Sequence, residues 1–187
     1  MRIVAGEFRG RPLAGPTTSA IRPTSDRLRE TVFDILAHGL GDPVTGARVL
    51  DLFAGTGALA LEALSRGAAS ALLVEEAVEA RGLIRRNVEA LGLTGRAKIF
   101  RRDATRLGDA GTLGPFSVVF ADPPYGKGLG EAALASAAGG GWLAQGAIAI
   151  LEEAATSDVT VPAGFTLLDA RKVGDSQVRF LAFGEAA

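Results

Sequence analysis

The 187-residue chain has no cysteine, which excludes disulfides, thiolate catalysis and cysteine–zinc sites. Histidine, tryptophan, tyrosine and methionine occur once each. The single histidine, His38, falls near the end of a helical pattern, where an imidazole ordinarily serves the helix C-terminus rather than catalysis. Apolar residues make up 48% of the chain. Even so, no run approaches the roughly 18 uninterrupted apolar residues of a membrane helix. The opening "MRIVAGEFRG" has no apolar signal-peptide core, so we expect a cytoplasmic protein with no membrane partner. The length fits one domain with a small appendage.

A net charge of −1 carries no global nucleic-acid signal. The distribution says more. Residues 1–30 hold six arginines against three acids, a local +3 that leaves −4 for the rest. A basic N-terminal arm on a mildly acidic body suits a polyanion gripped at one end. A solvated leader would have the same composition.

"RIVAGEFRGRPL" predicts two short strands around a glycine turn. A Pro/Thr/Ser-rich link follows. Leu28, Val32, Ile35 and Leu36 then recur at helical spacing behind Thr24 or Ser25 as N-cap, predicting a helix to about residue 38. Beyond "GDPVTG" the chain alternates. Strands are predicted at 48–52, 71–75, 97–101, 116–121 and 147–152, and helices at 58–65, 78–91 and 129–138. The last two strands, 165–173 and 177–183, are joined by "GDSQ", which reads as a hairpin turn. Such alternation predicts an α/β fold, a mostly parallel seven-stranded sheet with helices on both faces and an antiparallel C-terminal strand. Trp142 and Leu143 are predicted to pack into the core, and Arg81, Arg85 and Arg86 to form a solvated helix face.

"VLDLFAGTGALALEAL" reads as strand, glycine loop and helix. Gly55 and Gly57 let the backbone turn tightly beside a ligand, and the helix from Ala58 aims its N-terminal N–H groups at it. Glu75 lies 18 residues after Gly57, at the next strand end, placed to accept both hydroxyls of a ribose. Gly55 to Ala60 also fits the dinucleotide fingerprint with its final alanine, so a nicotinamide enzyme stays open. S-adenosylmethionine is favoured by two more acids. Asp51, four residues before Gly55, is placed to hold a cationic amino group, and Asp103 to accept from an adenine amine.

"SVVFADPPYGKG" ends a buried strand with a carboxylate, two prolines and an aromatic ring. Neither proline offers an N–H to a ladder, so the segment is a rigid corner at the strand's carboxyl end. Across a doubly wound sheet that corner faces the ligand held by the glycine loop. The exocyclic amine of a base is a poor nucleophile, its lone pair being delocalised into the ring. The Asp122 carboxylate and the Pro123 carbonyl can hold both amine hydrogens and aim the lone pair at a methyl group. Tyr125 can stack on the base, which in a duplex must first leave its stack.

"DLFAGTG", "VE" and "DPPY" resemble the class I (Rossmann-like) amino-methyltransferases over most of the chain. "RIVAGEFRGRPL", "RPTSDRLRETVFDIL" and "DLFAGTGALALEALSRGA" resemble more narrowly the bacterial 16S rRNA guanine-N2 methyltransferases of the RsmD type. The resemblance implies methylation of guanine 966 of the small-subunit RNA on assembled or nearly assembled particles. It implies that Asp51, Gly55, Gly57, Glu75 and Asp103 bind S-adenosylmethionine, with Phe53, Ala54 and Ala104 beside them and Thr24 closing over the methionine end. Asp122, Pro123 and Tyr125 would hold the base, while Arg9, Arg11 and Arg22, with Arg27 and Arg29, grip RNA phosphates. Residues 1–23 would form the RNA-binding arm and 24–187 the methyltransferase domain, a monomer that needs no metal. The loop 126–128 is too short and bland to carry specificity, so target choice would rest on the arm.

One observation leans toward guanine. Its N1–H and N2–H are adjacent donors matching two carboxylate oxygens, whereas adenine sets a donor beside an acceptor. Methylation of adenine or of a protein glutamine amide stays open, as does a non-catalytic RNA-binding assembly factor keeping the pocket as a relic. A reductase is disfavoured, since no Tyr–Lys pair or histidine donor lies near a strand end.

Overall fold

A computed structural model describes residues 1–19, 21 and 23–184. The chain runs α1 (Asp26–Gly39), β1 (Arg48–Asp51), α2 (Ala58–Ser65), β2 (Ser70–Val74), α3 (Val78–Ala90) and β3 (Ala97–Phe100). A short 3-10 turn follows (Ala104–Arg106), then β4 (Phe116–Ala121), α4 (Leu129–Gly139), β5 (Leu143–Ala154), β6 (Phe165–Val173) and β7 (Ser176–Phe183). The seven strands lie in the order β3-β2-β1-β4-β5-β7-β6. β1 to β5 pair in parallel and β7 runs antiparallel to both neighbours, as the strand–helix alternation predicts.

The period-two alternation of strand side chains sorts the apolar residues into two cores. Val49, Leu73, Val118, Phe120 and Ile150 face α1, α2 and α3, where Phe33 of α1 packs on Phe120 at 5.6 Å between ring centroids. Leu50, Leu72, Val119 and Leu151 face α4, whose Ala133, Leu134 and Ala137 admit close approach. Trp142 fills the rim of that second core, stacked on Phe116 and donating through Nε1 to the Gly108 carbonyl at 2.9 Å. Among the described residues no helix is long and apolar enough to cross a membrane.

Three expectations change in detail. Ser25, not Thr24, caps α1, its Oγ accepting from the Leu28 N–H at 3.1 Å. β5 begins at Leu143 rather than 147, because a register irregularity opposite Phe116 carries the chain through Gly146 without ending the strand. The two N-terminal strands reduce to one antiparallel bridge, Arg2 to Pro12. Three backbone bonds still join the two arms, from the Ile3 N–H to Arg11, the Gly10 N–H to Ile3 and the Leu13 N–H to Met1 at 3.0, 2.8 and 2.9 Å. Nearer the turn the N–H groups go to α2: those of Val4 and Ala5 donate to Glu62 at 2.8 and 3.0 Å, and Phe8 donates to Ser65 Oγ at 3.0 Å. Gly6 packs so close to α2 that a Cβ there would lie 2.0 Å from the Ser65 carbonyl oxygen. Ile3 and Leu13 belong to the core beside α1 and α2.

Candidate active site

A cavity of about 600 Å³ opens at the carboxyl ends of β2, β1 and β4, where the strand order reverses. The glycine loop after β1, Glu75 after β2, Asp103 and Ala104 after β3 and the Asp122–Tyr125 corner after β4 form its walls. Ser19, Ile21 and Thr24 of the link close one side. Of the predicted residues, Thr24, Phe53, Ala54, Gly55, Glu75, Asp103, Ala104, Asp122, Pro123 and Tyr125 line this one space.

Asp51 and Gly57 do not line it; they lie beneath the loop. Gly57 sits at φ 83° as the N-cap of α2, and a Cβ there would meet Leu73 Cδ2 at 3.2 Å. Its glycine thus serves the turn and the packing. Asp51 is 1% exposed, and neither carboxylate oxygen has a hydrogen-bond partner. Burial pushes its carboxyl up to about 7; the Ala60 N–H, outside hydrogen-bond geometry, offsets part of that, and the Glu75 charge adds to it.

Strand alternation explains a row of acids at this end of the sheet. Glu75, Asp51, Asp122 and Glu152 each extend the side of their strand that carries Leu73, Val49, Phe120 and Ile150. Four carboxylates therefore stand at the ends of four adjacent strands, β2, β1, β4 and β5. Glu75 is held at the loop, accepting from the Gly55 N–H at 2.8 Å and the Ala77 N–H at 3.1 Å. Asp103 caps the 3-10 turn through one oxygen, which accepts from the Thr105 N–H and hydroxyl at 2.9 and 2.7 Å. Those bonds hold its carboxyl below the ordinary value.

Asp122 accepts from Thr24 Oγ1 at 2.9 Å. Burial, then the charge of Glu152 and a hydrogen bond between the two carboxyls, raise the Asp122 carboxyl well above the ordinary range; the Thr24 bond works against them and Asp51 adds to them. The Tyr125 hydroxyl donates to Glu152 Oε1, and Ser176 Oγ reaches the same oxygen at 3.0 Å and the tyrosine oxygen at 2.8 Å. Burial first, and then the Glu152 bond, push the tyrosine pKa up. Glu153, on the opposite side of β5, accepts from the Gly126 N–H at 2.9 Å and fixes the loop after the corner.

Sequence reasoning missed Glu152, Ser176 and Glu153, although the acids closing the apolar run "AIAILEE" were a signal for two of them. It also missed Asn87 of α3. That buried amide bonds the Ala14 N–H and carbonyl and donates to the Thr56 carbonyl at 2.9 Å, joining the link to the glycine loop. Arg29 requires a correction. It is 0% exposed, paired with Glu62 at 2.9 Å and with Asp26, and so has no access to RNA. Arg9, Arg11 and Arg27 are exposed, and Arg11 donates to the Ala90 carbonyl at 2.7 Å. Arg22 lies outside the described residues.

The donor set tests the cofactor. S-adenosylmethionine carries a sulfonium, an ammonium and an adenosine; the cavity wall offers the carboxylates of Glu75, Asp103 and Asp122, and the unpartnered Asp51 oxygens lie beneath its glycine loop. These residues fit it. A nicotinamide dinucleotide would set an anionic diphosphate against the same row.

The sheet order, the antiparallel β7 and the acid-floored glycine loop together define a Rossmann-like class I methyltransferase fold. The family described as "Conserved hypothetical protein 95" matches residues 1–182. Ribosomal RNA small subunit methyltransferase D of Escherichia coli is 40% identical over 169 residues, 89% of this chain and 82% of that protein. A solved E. coli structure, described as a candidate methyltransferase, superposes with a TM-score of 0.82 at 35% identity, covering 98% of each chain. An RNA methyltransferase from Salinibacter ruber, solved with S-adenosyl-L-homocysteine, shares the fold at 13% identity and a TM-score of 0.68, over 89% of this chain and 96% of that one. The chain belongs to this family, the RsmD family of methyltransferases.

Proposed function

We propose that the chain methylates the exocyclic N2 of a guanine in 16S rRNA, guanine 966 of the assembled or nearly assembled small subunit, in the cytoplasm. S-adenosylmethionine is the cofactor, and when bound it supplies an electrophilic methyl group. Its ammonium would pair with Asp51, its ribose with Glu75 and its adenine amine with Asp103. The observation that carries the reading is the Asp122 carboxylate at the cavity wall, braced by Thr24 and followed by the fixed Pro123 carbonyl. Two oxygens of one carboxylate match the adjacent N1–H and N2–H donors of guanine. The Pro123 carbonyl takes the second amine hydrogen, and the Tyr125 ring, tethered through its hydroxyl, covers the base face. Positioning of this kind supplies much of the rate of a direct displacement.

Residues 1–23 form the arm that grips RNA on the 24–187 methyltransferase body. Its exposed Arg9 and Arg11, with Arg27 at the start of α1, face phosphate. The chain works as a monomer. Methyl transfer to small subunits by wild type and Asp122→Ala tests the reading. Loss of transfer with cofactor affinity within a few-fold of wild type is expected; unchanged transfer would remove Asp122 from the reaction.

A further inference from the structure

Methylation of an amine creates a proton that must leave the nitrogen, and the site described so far assigns it no destination. As the guanine N2 bonds to the methyl carbon, the carbon–sulfur bond breaks and leaves its electron pair on sulfur. The N2–H electron pair stays on nitrogen, and one proton departs. The acceptor nearest the amine in this reading is Asp122, half-buried at the cavity wall. An ordinary carboxylate is a weak base, and a neighbouring negative charge makes it a stronger one.

We propose that Glu152 is a positioning residue that makes Asp122 the proton acceptor of methyl transfer, a role that rests on the guanine-N2 reading above. The geometry carries it. Glu152 closes the row of acids at the end of β5, on the same side of the sheet as Asp122. The Tyr125 hydroxyl and Ser176 Oγ both converge on its Oε1, the latter at 3.0 Å. Both hydroxyls are turned to Glu152, and the carboxylate left facing the amine is Asp122, one step beyond the Ala121–Leu151 pair that aligns β4 with β5.

The surroundings reinforce the assignment. On β1 the second carboxylate facing Asp122 is Asp51, itself beside Glu75. Among the described residues the link contributes the uncharged Thr24, and the corner Tyr125. Among the described residues that line the cavity, Arg102 is turned away, its guanidinium on the Phe100 ring and bonded to the Leu107 carbonyl. The basicity of Asp122 is thus raised by burial and by its acidic neighbours together. A base matched to the working pH accepts a proton better than one that is fully ionised far below it.

The test is a pH titration of the Asp and Glu carboxyl carbons by NMR in the ligand-free protein, wild type and Glu152→Gln. The Asp122 midpoint is expected well above the ordinary carboxylate range in wild type and at least one unit lower in Glu152→Gln. The acid limb of single-turnover methyl transfer should move down by the same amount. An Asp122 that titrates in the ordinary range in wild type overturns the proposal without any variant. So does an unshifted midpoint in a folded Glu152→Gln protein, which would leave Glu152 as a tether for Tyr125. Because the titration uses no RNA, an elevated midpoint together with a different methylated product upholds the acid pair and rejects the guanine reading.

Discussion

Thr24 Oγ1 donates a 2.9 Å hydrogen bond to Asp122 Oδ2, 98 residues further along the chain. That bond joins the end of the N-terminal link to the corner after β4, and it stabilises the ionised carboxylate against the burial that raises it. Thr24→Val removes the donor. The Asp122 pKa then rises, and a larger fraction is protonated at any given pH. Methyl transfer near neutral pH should fall several-fold, the acid limb of its pH profile should move upward, and Thr24→Ser should restore both.

Asp51 gives a prediction for cofactor binding. With its carboxyl at about 7 in the free protein, binding a cation beside it ionises the group and releases a proton. Calorimetry near pH 7 in buffers of different ionisation enthalpy should detect that proton with S-adenosylmethionine, and affinity should tighten as pH rises through 7. Asp51→Asn should weaken binding at least tenfold and abolish the proton release.

The same group has a signed effect on stability. Its folded pKa lies above the unfolded one, so the folded state binds the extra proton between the two values. Stability falls as pH rises across that window, by about 1.4 kcal/mol per unit for the fully coupled group. Asp51→Asn should therefore raise the melting temperature more at pH 8 than at pH 5. An equal change at both would contradict the elevated pKa.

Glu62 holds the arm, α1 and α2 together. It is 0% exposed and receives the Val4 and Ala5 N–H groups, Arg29 and Arg66. Glu62→Ala leaves the buried Arg29 charge short of its main partner, a loss of about 3–5 kcal/mol. Urea denaturation should show it, and limited proteolysis should open the first 14 residues. Arg29→Ala should destabilise comparably without altering the salt dependence of RNA binding.

The fold was legible because each βα unit carries its own punctuation. An apolar run into "AGTG" and one into "DPPY" mark strand ends, and period-two alternation then dictates that Asp51 and Asp122 share a face. The long-range partners were not legible. Arg29 reads as one more cation in a basic segment, and only a carboxylate 33 residues away converts it into a core residue. Glu152 gains meaning from Ser176, which the antiparallel return of β7 brings beside it. "RIVAGEFRGRPL" has the pattern of a hairpin and pairs across itself around Arg2 and Pro12, but the carboxylate and hydroxyl on α2 that take the Val4, Ala5 and Phe8 N–H groups lie more than 50 residues away.

The exposed arginines of the arm and of the start of α1 are expected to act through phosphate. Substituting Arg9, Arg11 and Arg27 by glutamine should weaken small-subunit binding and reduce the slope of log affinity against log salt by roughly 0.7–0.9 per lost contact. The melting temperature should hardly change, since all three side chains are exposed. An unchanged slope would return the arm to a structural role.

The most direct measurement incubates methyl-labelled S-adenosylmethionine and the protein with unmodified small subunits, naked 16S rRNA, duplex DNA or a protein extract. Each product is digested and the labelled nucleoside or amino acid identified. N2-methylguanosine from small subunits is the expected product. Label in N6-methyladenine would contradict the pairing of Asp122 with guanine, and absence of label with cofactor still bound would make the cavity the relic of a non-catalytic RNA-binding protein.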